Sequence, residues 1–158
     1  MKIYIAIIGI LLAAIAGVVW YAIQPTPAVN TDAAVVVPAE NVVSVSYMNA
    51  SENDIVVTLP GAGDVTGKTF TVKGKARGPW YFEASFPVTL LDGQGAELAQ
   101  GVALAEGEWM TEEFVPFSVE LTAPQNYIGP ATLVLKKDNP SGEPELDASL
   151  SVPITVEY

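Results

Sequence analysis

The stretch Ala84-Ser85-Phe86-Pro87-Val88-Thr89-Leu90, closed by Asp92-Gly93-Gln94-Gly95, decides the fold class. Its apolar side chains recur every second residue, the period of a strand with one buried face. Asp and Gly tolerate the positive φ of a tight hairpin, so the chain is expected to reverse at 92–95. The same rhythm spreads in both directions. Upstream, Phe70, Val72, Gly74 and Ala76 alternate with Thr71, Lys73 and Lys75, and before them Ile55–Leu59 runs into the break Pro60-Gly61-Ala62-Gly63-Asp64. Downstream, Leu98, Val102 and Leu104 mark a weaker strand. Three further ones are carried by Val115, Phe117, Val119 and Leu121, by Ala131, Leu133 and Leu135, and by Leu150, Val152, Ile154 and Val156.

About seven strands separated by turn signals predict an all-β, immunoglobulin-like antiparallel β-sandwich over 54–158. The cysteine pair of antibody domains is missing, but apolar side chains alone can hold two sheets together. Pro87, Pro116 and Pro153 fall inside strand patterns, where proline implies an edge or a bulge.

Ahead of this domain lies a different kind of sequence. Residues 1–23 contain Ile3–Ile23 without a charge, and about 21 residues at 1.5 Å each span roughly 32 Å, enough for the hydrocarbon core. The apolar run continues past the small-residue stretch Ala14-Ile15-Ala16 to Trp20 and Tyr21, too long for a typical cleaved signal and ending as an interfacial aromatic belt would. An N-terminal transmembrane helix is therefore expected. Lys2 flanks its near side and no basic residue follows until Lys68, so the N-terminus is expected in the cytoplasm and the domain outside, as in a single-pass cell membrane protein. Residues 24–53, with Pro25-Thr26-Pro27 and Val35-Val36-Val37-Pro38, read as an extended linker. Within it, Val42–Tyr47 fits either linker or a short edge strand.

Charge and composition narrow the chemistry. Eighteen acidic against seven basic residues give −11, a balance that repels phosphate and argues against nucleic acid. The chain has no His and no Cys, which removes thiol nucleophiles, imidazole bases and the common zinc ligands. No enzyme activity, cofactor or metal is expected.

The stretch Gly74-Lys75-Ala76-Arg77-Gly78-Pro79-Trp80-Tyr81-Phe82-Glu83-Ala84-Ser85-Phe86-Pro87-Val88 stands in series with Gly107-Glu108-Trp109-Met110-Thr111, Val115-Pro116-Phe117 and Leu135-Lys136-Lys137-Asp138-Asn139-Pro140-Ser141-Gly142. Together these resemble the Gmad2 family, an immunoglobulin-like domain associated with bacterial spore-germination proteins, over roughly Ile55 to Val156. The resemblance implies an extracytoplasmic, often membrane-tethered module that binds or organises envelope material. It brings no catalytic residues with it.

The densest group of large side chains is Arg77, Trp80, Tyr81 and Phe82, with Trp109 later in the chain. Aromatic residues and Arg are the usual anchors of a contact surface, so Arg77, Trp80, Tyr81 and Trp109 are candidate binding residues. The competing reading puts Phe82 and one aromatic neighbour in the core and pairs Arg77 with Glu83 or Glu108. Glu108, Glu112 and Glu113 read as a solvated acidic loop or, in a cleft, as glycosidase-type carboxylates. Asp138, Asn139, Ser141 and Glu143 read as a turn or as oxygen donors to calcium. Three functions follow, in order: a module binding a cell-envelope polymer or surface protein, a structural subunit on a membrane partner, and an acidic glycan hydrolase.

Overall fold

The computed structural model describes residues 43–158. Among them no helix is long and apolar enough to cross a membrane. The expected spanning segment at 1–23 and most of the 24–53 linker lie outside the described residues.

Nine strands follow in chain order: β1 (Ser46–Met48), β2 (Ile55–Leu59), β3 (Val65–Thr66), β4 (Thr69–Arg77), β5 (Ser85–Asp92), β6 (Glu97–Ala105), β7 (Phe114–Thr122), β8 (Gly129–Lys136) and β9 (Ser149–Val156). They hydrogen-bond in the order β1-β9-β8-β5-β6-β7-β4-β2, all antiparallel, with β3 added parallel to β9. Instead of two separate sheets the fold is one sheet that curls over. The halves β2-β4-β7 and β6-β5-β8-β9-β1 stay joined at a narrow seam, Leu104↔Ser118 and Ala105↔Phe117. Across the core Phe86 of β5 meets Phe117 of β7 edge-on at 4.9 Å and 79°.

The two strands beyond the expected seven are short, three and two residues, and too brief to show a period. Both cover the edge of β9, β1 along Ser149–Ser151 and β3 along Thr155–Val156. The segment read as linker to residue 53 thus supplies a strand at Ser46–Met48. Pro153 sits in the gap between the two short strands, where its carbonyl accepts from the Gly63 amide at 2.8 Å and its missing N–H costs no ladder bond. Pro116 likewise faces β6 just past the seam, its carbonyl accepting from Glu106 N at 2.8 Å.

Alternation holds in five strands. Val72 and Ala76, Phe86, Val88 and Leu90, Val115 to Leu121, Ala131 to Leu135, and Leu150 to Val156 bury the expected faces. β6 departs from it. Val102 and Leu104 point outward, 55% and 59% exposed, and Ala103 is buried in their place. Two causes act together. Leu90 pairs with Ala99 but Leu91 with Glu97, so Leu98 is an extra residue that shifts the phase. Where the sheet curls, Gly101 lies so close to β7 that a Cβ would stand 2.7 Å from Leu121 Cδ2 and 2.8 Å from Val119 Cγ2. Only small residues fit inward there, so the large aliphatics face out.

Candidate functional site

One end of the curled sheet gathers the loops β1–β2, β4–β5, β6–β7 and β8–β9, and every candidate residue lies there. After β4 the chain makes a single 3-10 turn, Gly78–Trp80. Glycine is required at 78, since a Cβ would come within 1.8 Å of the Thr111 carbonyl and 2.4 Å of the Trp109 carbonyl. This close approach lets the turn lie on the β6–β7 loop and sends the next two aromatics inward. Trp80, 3% exposed, sets its ring edge-on to Phe86 at 6.4 Å. Tyr81 tilts onto the same ring at 5.2 Å and donates its hydroxyl to the Val115 carbonyl at 2.7 Å. Burial, with a further contribution from the Glu106 charge, pushes the Tyr81 phenol up to about 12.

Phe82 is the aromatic left outside, 43% exposed. The reading that placed it in the core is corrected by the backbone. Glu83 and Ala84 both have positive φ, 50° and 62°, and they close a two-residue reversal in which Phe82 and Ser85 exchange both backbone hydrogen bonds. That reversal turns Phe82 away and lets β5 start with Phe86 inward.

Arg77 is a brace between loops. Its Nε donates to the Asn53 carbonyl at 2.9 Å and Nη1 to the Glu112 carbonyl at 3.0 Å, while the guanidinium lies 4.3 Å over the Phe114 ring. Its carboxylate neighbour is Glu113 at 3.8 Å, in place of the expected Glu83 or Glu108. Glu108 instead accepts from the Met110 amide at 3.1 Å. Trp109 is half-buried against the core and Met110 is exposed.

Between these loops opens a groove of about 490 Å³, its walls formed by Asn49, Asn53 and Asp54, by Arg77, Pro79 and Trp80, by Glu112, and by Lys137 and Glu145–Ala148. Backbone bonds hold those walls in place: Arg77 N to Asp54 O at 2.8 Å, Asp138 N to Trp80 O at 3.1 Å and Lys137 N to Ala148 O at 2.9 Å. Asn49 adds a side-chain bond to the Asp147 carbonyl at 3.0 Å. Two cationic heads and four carboxylates line the groove. Of the predicted set, Arg77 and Trp80 border it, whereas Tyr81 and Trp109 border a smaller hollow on the other side of Pro79. The indole Nε1 of Trp80 is buried with no hydrogen-bond partner among the described residues.

The β8–β9 loop closes on itself through Asn139, whose Nδ2 donates to the Glu143 carbonyl at 2.8 Å and to Asp147 Oδ1 at 2.9 Å, while Ser141 donates to Asn139 Oδ1 at 2.6 Å. A donor nitrogen occupies the place where a cation would need oxygen, so the turn reading describes this loop.

Residues 54–143 match Gmad2, the immunoglobulin-like domain of bacterial spore germination. The chain belongs to the Gmad2 family. No curated protein and no solved structure matches it. The Gmad2 match takes in Arg77, Trp80, Tyr81, Trp109 and Lys137 but begins after Asn49 and Asn53 and ends before Glu145–Ala148 and β9, so it covers half of the groove's lining residues. Sequence reasoning missed Lys137, Asp147 and the Asn49 to Asp54 wall as parts of one site. Lys137 at least fell inside a family motif, but no local pattern joins these loops, because only the strand ends bring them together.

Proposed function

We propose that this Gmad2 chain is a non-catalytic, membrane-anchored extracytoplasmic module that binds or organises a cell-envelope polymer or surface protein through the groove at its loop end. The supporting observation is the groove itself, about 490 Å³, with Arg77 and Lys137 set among carboxylates on loops pinned by backbone bonds. That size suits a saccharide unit or a short peptide segment, and rigid strand ends carrying a few convergent polar groups are a common form of binding site. Trp80 serves the reading as a support in the groove floor and Tyr81 as a core residue behind it, since both are buried and neither ring offers a face to a ligand. The contact energy is assigned instead to Lys137, Asp147 and the exposed edge of Pro79. In this reading the uncharged run Ile3–Ile23, with Lys2 on its cytoplasmic side, is the anchor that keeps the module on the extracytoplasmic side.

The full chain is tested by retention on isolated wall and membrane fractions. Lys137→Glu is expected to weaken retention about tenfold, the scale of one lost charge-assisted contact, with an unchanged melting temperature. Glu97→Lys, on β6 away from the groove, is expected to change neither. Equal retention for Lys137→Glu and the unsubstituted chain overturns the groove. Protease added to intact protoplasts checks the anchor: digestion of the domain from outside fits the proposal, and protection equal to that of a cytoplasmic protein overturns it.

A further inference from the structure

Some of the charges that line the groove are committed and others are free. Arg77 gives its guanidinium to the Asn53 and Glu112 carbonyls and stands 3.8 Å from Glu113, which is not part of the lining. Asp54 turns its Oδ2 to the Ser51 amide and hydroxyl, both at 2.8 Å. That leaves Lys137, which forms no ion pair among the described residues, against Glu112, Glu145 and Asp147. One free positive group faces three negative ones. Asp147 is the most firmly placed of the three, since its Oδ1 accepts from Asn139 Nδ2 at 2.9 Å and its carbonyl from Asn49 Nδ2 at 3.0 Å. Trp80 adds an unused donor. Its indole Nε1 is buried without a partner among the described residues, and Trp80 borders the groove but not the hollow on the other side of Pro79. A buried N–H with no acceptor costs stability, and an oxygen arriving from the groove would restore it.

We infer that the groove, on the reading proposed above, takes a short peptide segment carrying a free ammonium group. The ammonium, from an N-terminus or a lysine-like side chain, goes to the wall that carries Asp147 and Glu145, where the excess of negative charge attracts it and charge-assisted bonds hold it. A peptide carbonyl supplies the oxygen for Trp80 Nε1, and a second carbonyl or a carboxylate meets Lys137. A neutral glycan fits these groups less well. It brings no counter-charge for the three carboxylates, and Trp80, 3% exposed, gives a sugar ring no face to stack on.

The full chain, 15N-labelled in detergent micelles, carries three tryptophans, whose indole N–H signals are assigned with Trp20→Phe and Trp109→Phe. Titration with the tripeptide Ala-Lys-Ala is expected to move the Trp80 signal downfield and leave that of Trp109 in place. Acetylating both amines of the peptide is expected to weaken binding by about tenfold or more, the scale of one lost charge-assisted contact. Asp147→Asn in the protein is expected to do the same at an unchanged melting temperature, because it keeps an acceptor for Asn139. A neutral tetramer of N-acetylglucosamine is expected to leave the Trp80 signal unmoved. No binding of Ala-Lys-Ala, equal binding of its acetylated form, binding that does not move the Trp80 signal, or a Trp80 shift with the tetrasaccharide alone each overturn the inference. The groove itself is judged apart from this, by retention of Lys137→Glu on wall and membrane fractions. If that retention falls while Ala-Lys-Ala fails to bind, the groove stands and the peptide class is wrong.

Discussion

β4 and β6 are both nine-residue strands of the same sheet, yet one obeys the alternation of its side chains and the other does not. β4 pairs along its whole length with β7, from Thr69↔Thr122 to Arg77↔Phe114, without a break in register, and its other edge carries β2. Its phase is locked at every residue. β6 is bulged at Leu98 and touches β7 at two positions only. Alternation therefore reports burial where at least one neighbour fixes the register without interruption. It fails where one bulge and one close backbone crossing reassign which side has room.

The comparison breaks most visibly if the β4–β7 core is less tightly made than described. Phe117, 1% exposed, meets Phe86 edge-on and presses over Gly74, where an added Cβ would stand 2.7 Å from its ring. Phe117→Ala is expected to cost about 3–5 kcal/mol from lost burial and the remaining cavity, read from the urea midpoint. A loss under about 1 kcal/mol means that the two halves do not close over this ring.

The next effect is a pH dependence on the same side of the molecule. The Tyr81 phenol ordinarily titrates at 10.0 and burial moves it to about 12, so folding favours the neutral hydroxyl. Stability from this group is complete below pH 10 and is lost as pH rises from about 10 through about 12, by about 3 kcal/mol for a shift of about two units. Tyr81→Phe is expected to flatten that alkaline loss while costing about 1–3 kcal/mol at neutral pH, because the Val115 carbonyl loses its donor. Melting curves at pH 8, 10 and 11 for both proteins decide it, and parallel slopes reject the assignment.

A glycine pair tests the two strands directly. In β4, an Ala at 74 would meet the Val56 carbonyl at 2.2 Å and the Phe117 ring, and neither can yield without moving a strand. In β6, an Ala at 101 would meet the methyl ends of Leu121 and Val119. Gly74→Ala is expected to cost about 3 kcal/mol or more and Gly101→Ala about 1 kcal/mol, the upper and lower parts of the overpacking range. Equal costs would show that β6 is held as rigidly as β4.

The same contrast marks what the residues disclosed before the fold was known. The Gmad2 resemblance and the inward faces of β4, β5, β7, β8 and β9 were legible, because each is a run of regular alternation with its own turn signals. The placing of Phe82 outside and of both Trp80 and Tyr81 inside was not. It turns on two left-handed residues, Glu83 and Ala84, neither of a type that announces positive φ. Arg77 and Trp80 were singled out from composition alone, and both border the groove. Lys137, Asp147 and the Asn49 to Asp54 wall were not grouped with them, since the groove is made by strand ends far apart in sequence.

The smallest expected effect comes from the residues that broke the alternation. Val102 and Leu104 are large and aliphatic, and composition placed them in the core, where truncation of such side chains costs about 2–5 kcal/mol. Exposed as they are, Val102→Thr and Leu104→Gln remove little buried area and leave no cavity, so each is expected to shift stability by no more than about 0.5 kcal/mol in dilute monomer. Thr also keeps the branched Cβ that a strand favours, which leaves the backbone preference of β6 unchanged. Denaturant unfolding of each variant beside the unsubstituted chain measures that shift. A loss of 2 kcal/mol or more at both positions in dilute protein would return them to the core and restore for β6 the phase that its sequence suggests.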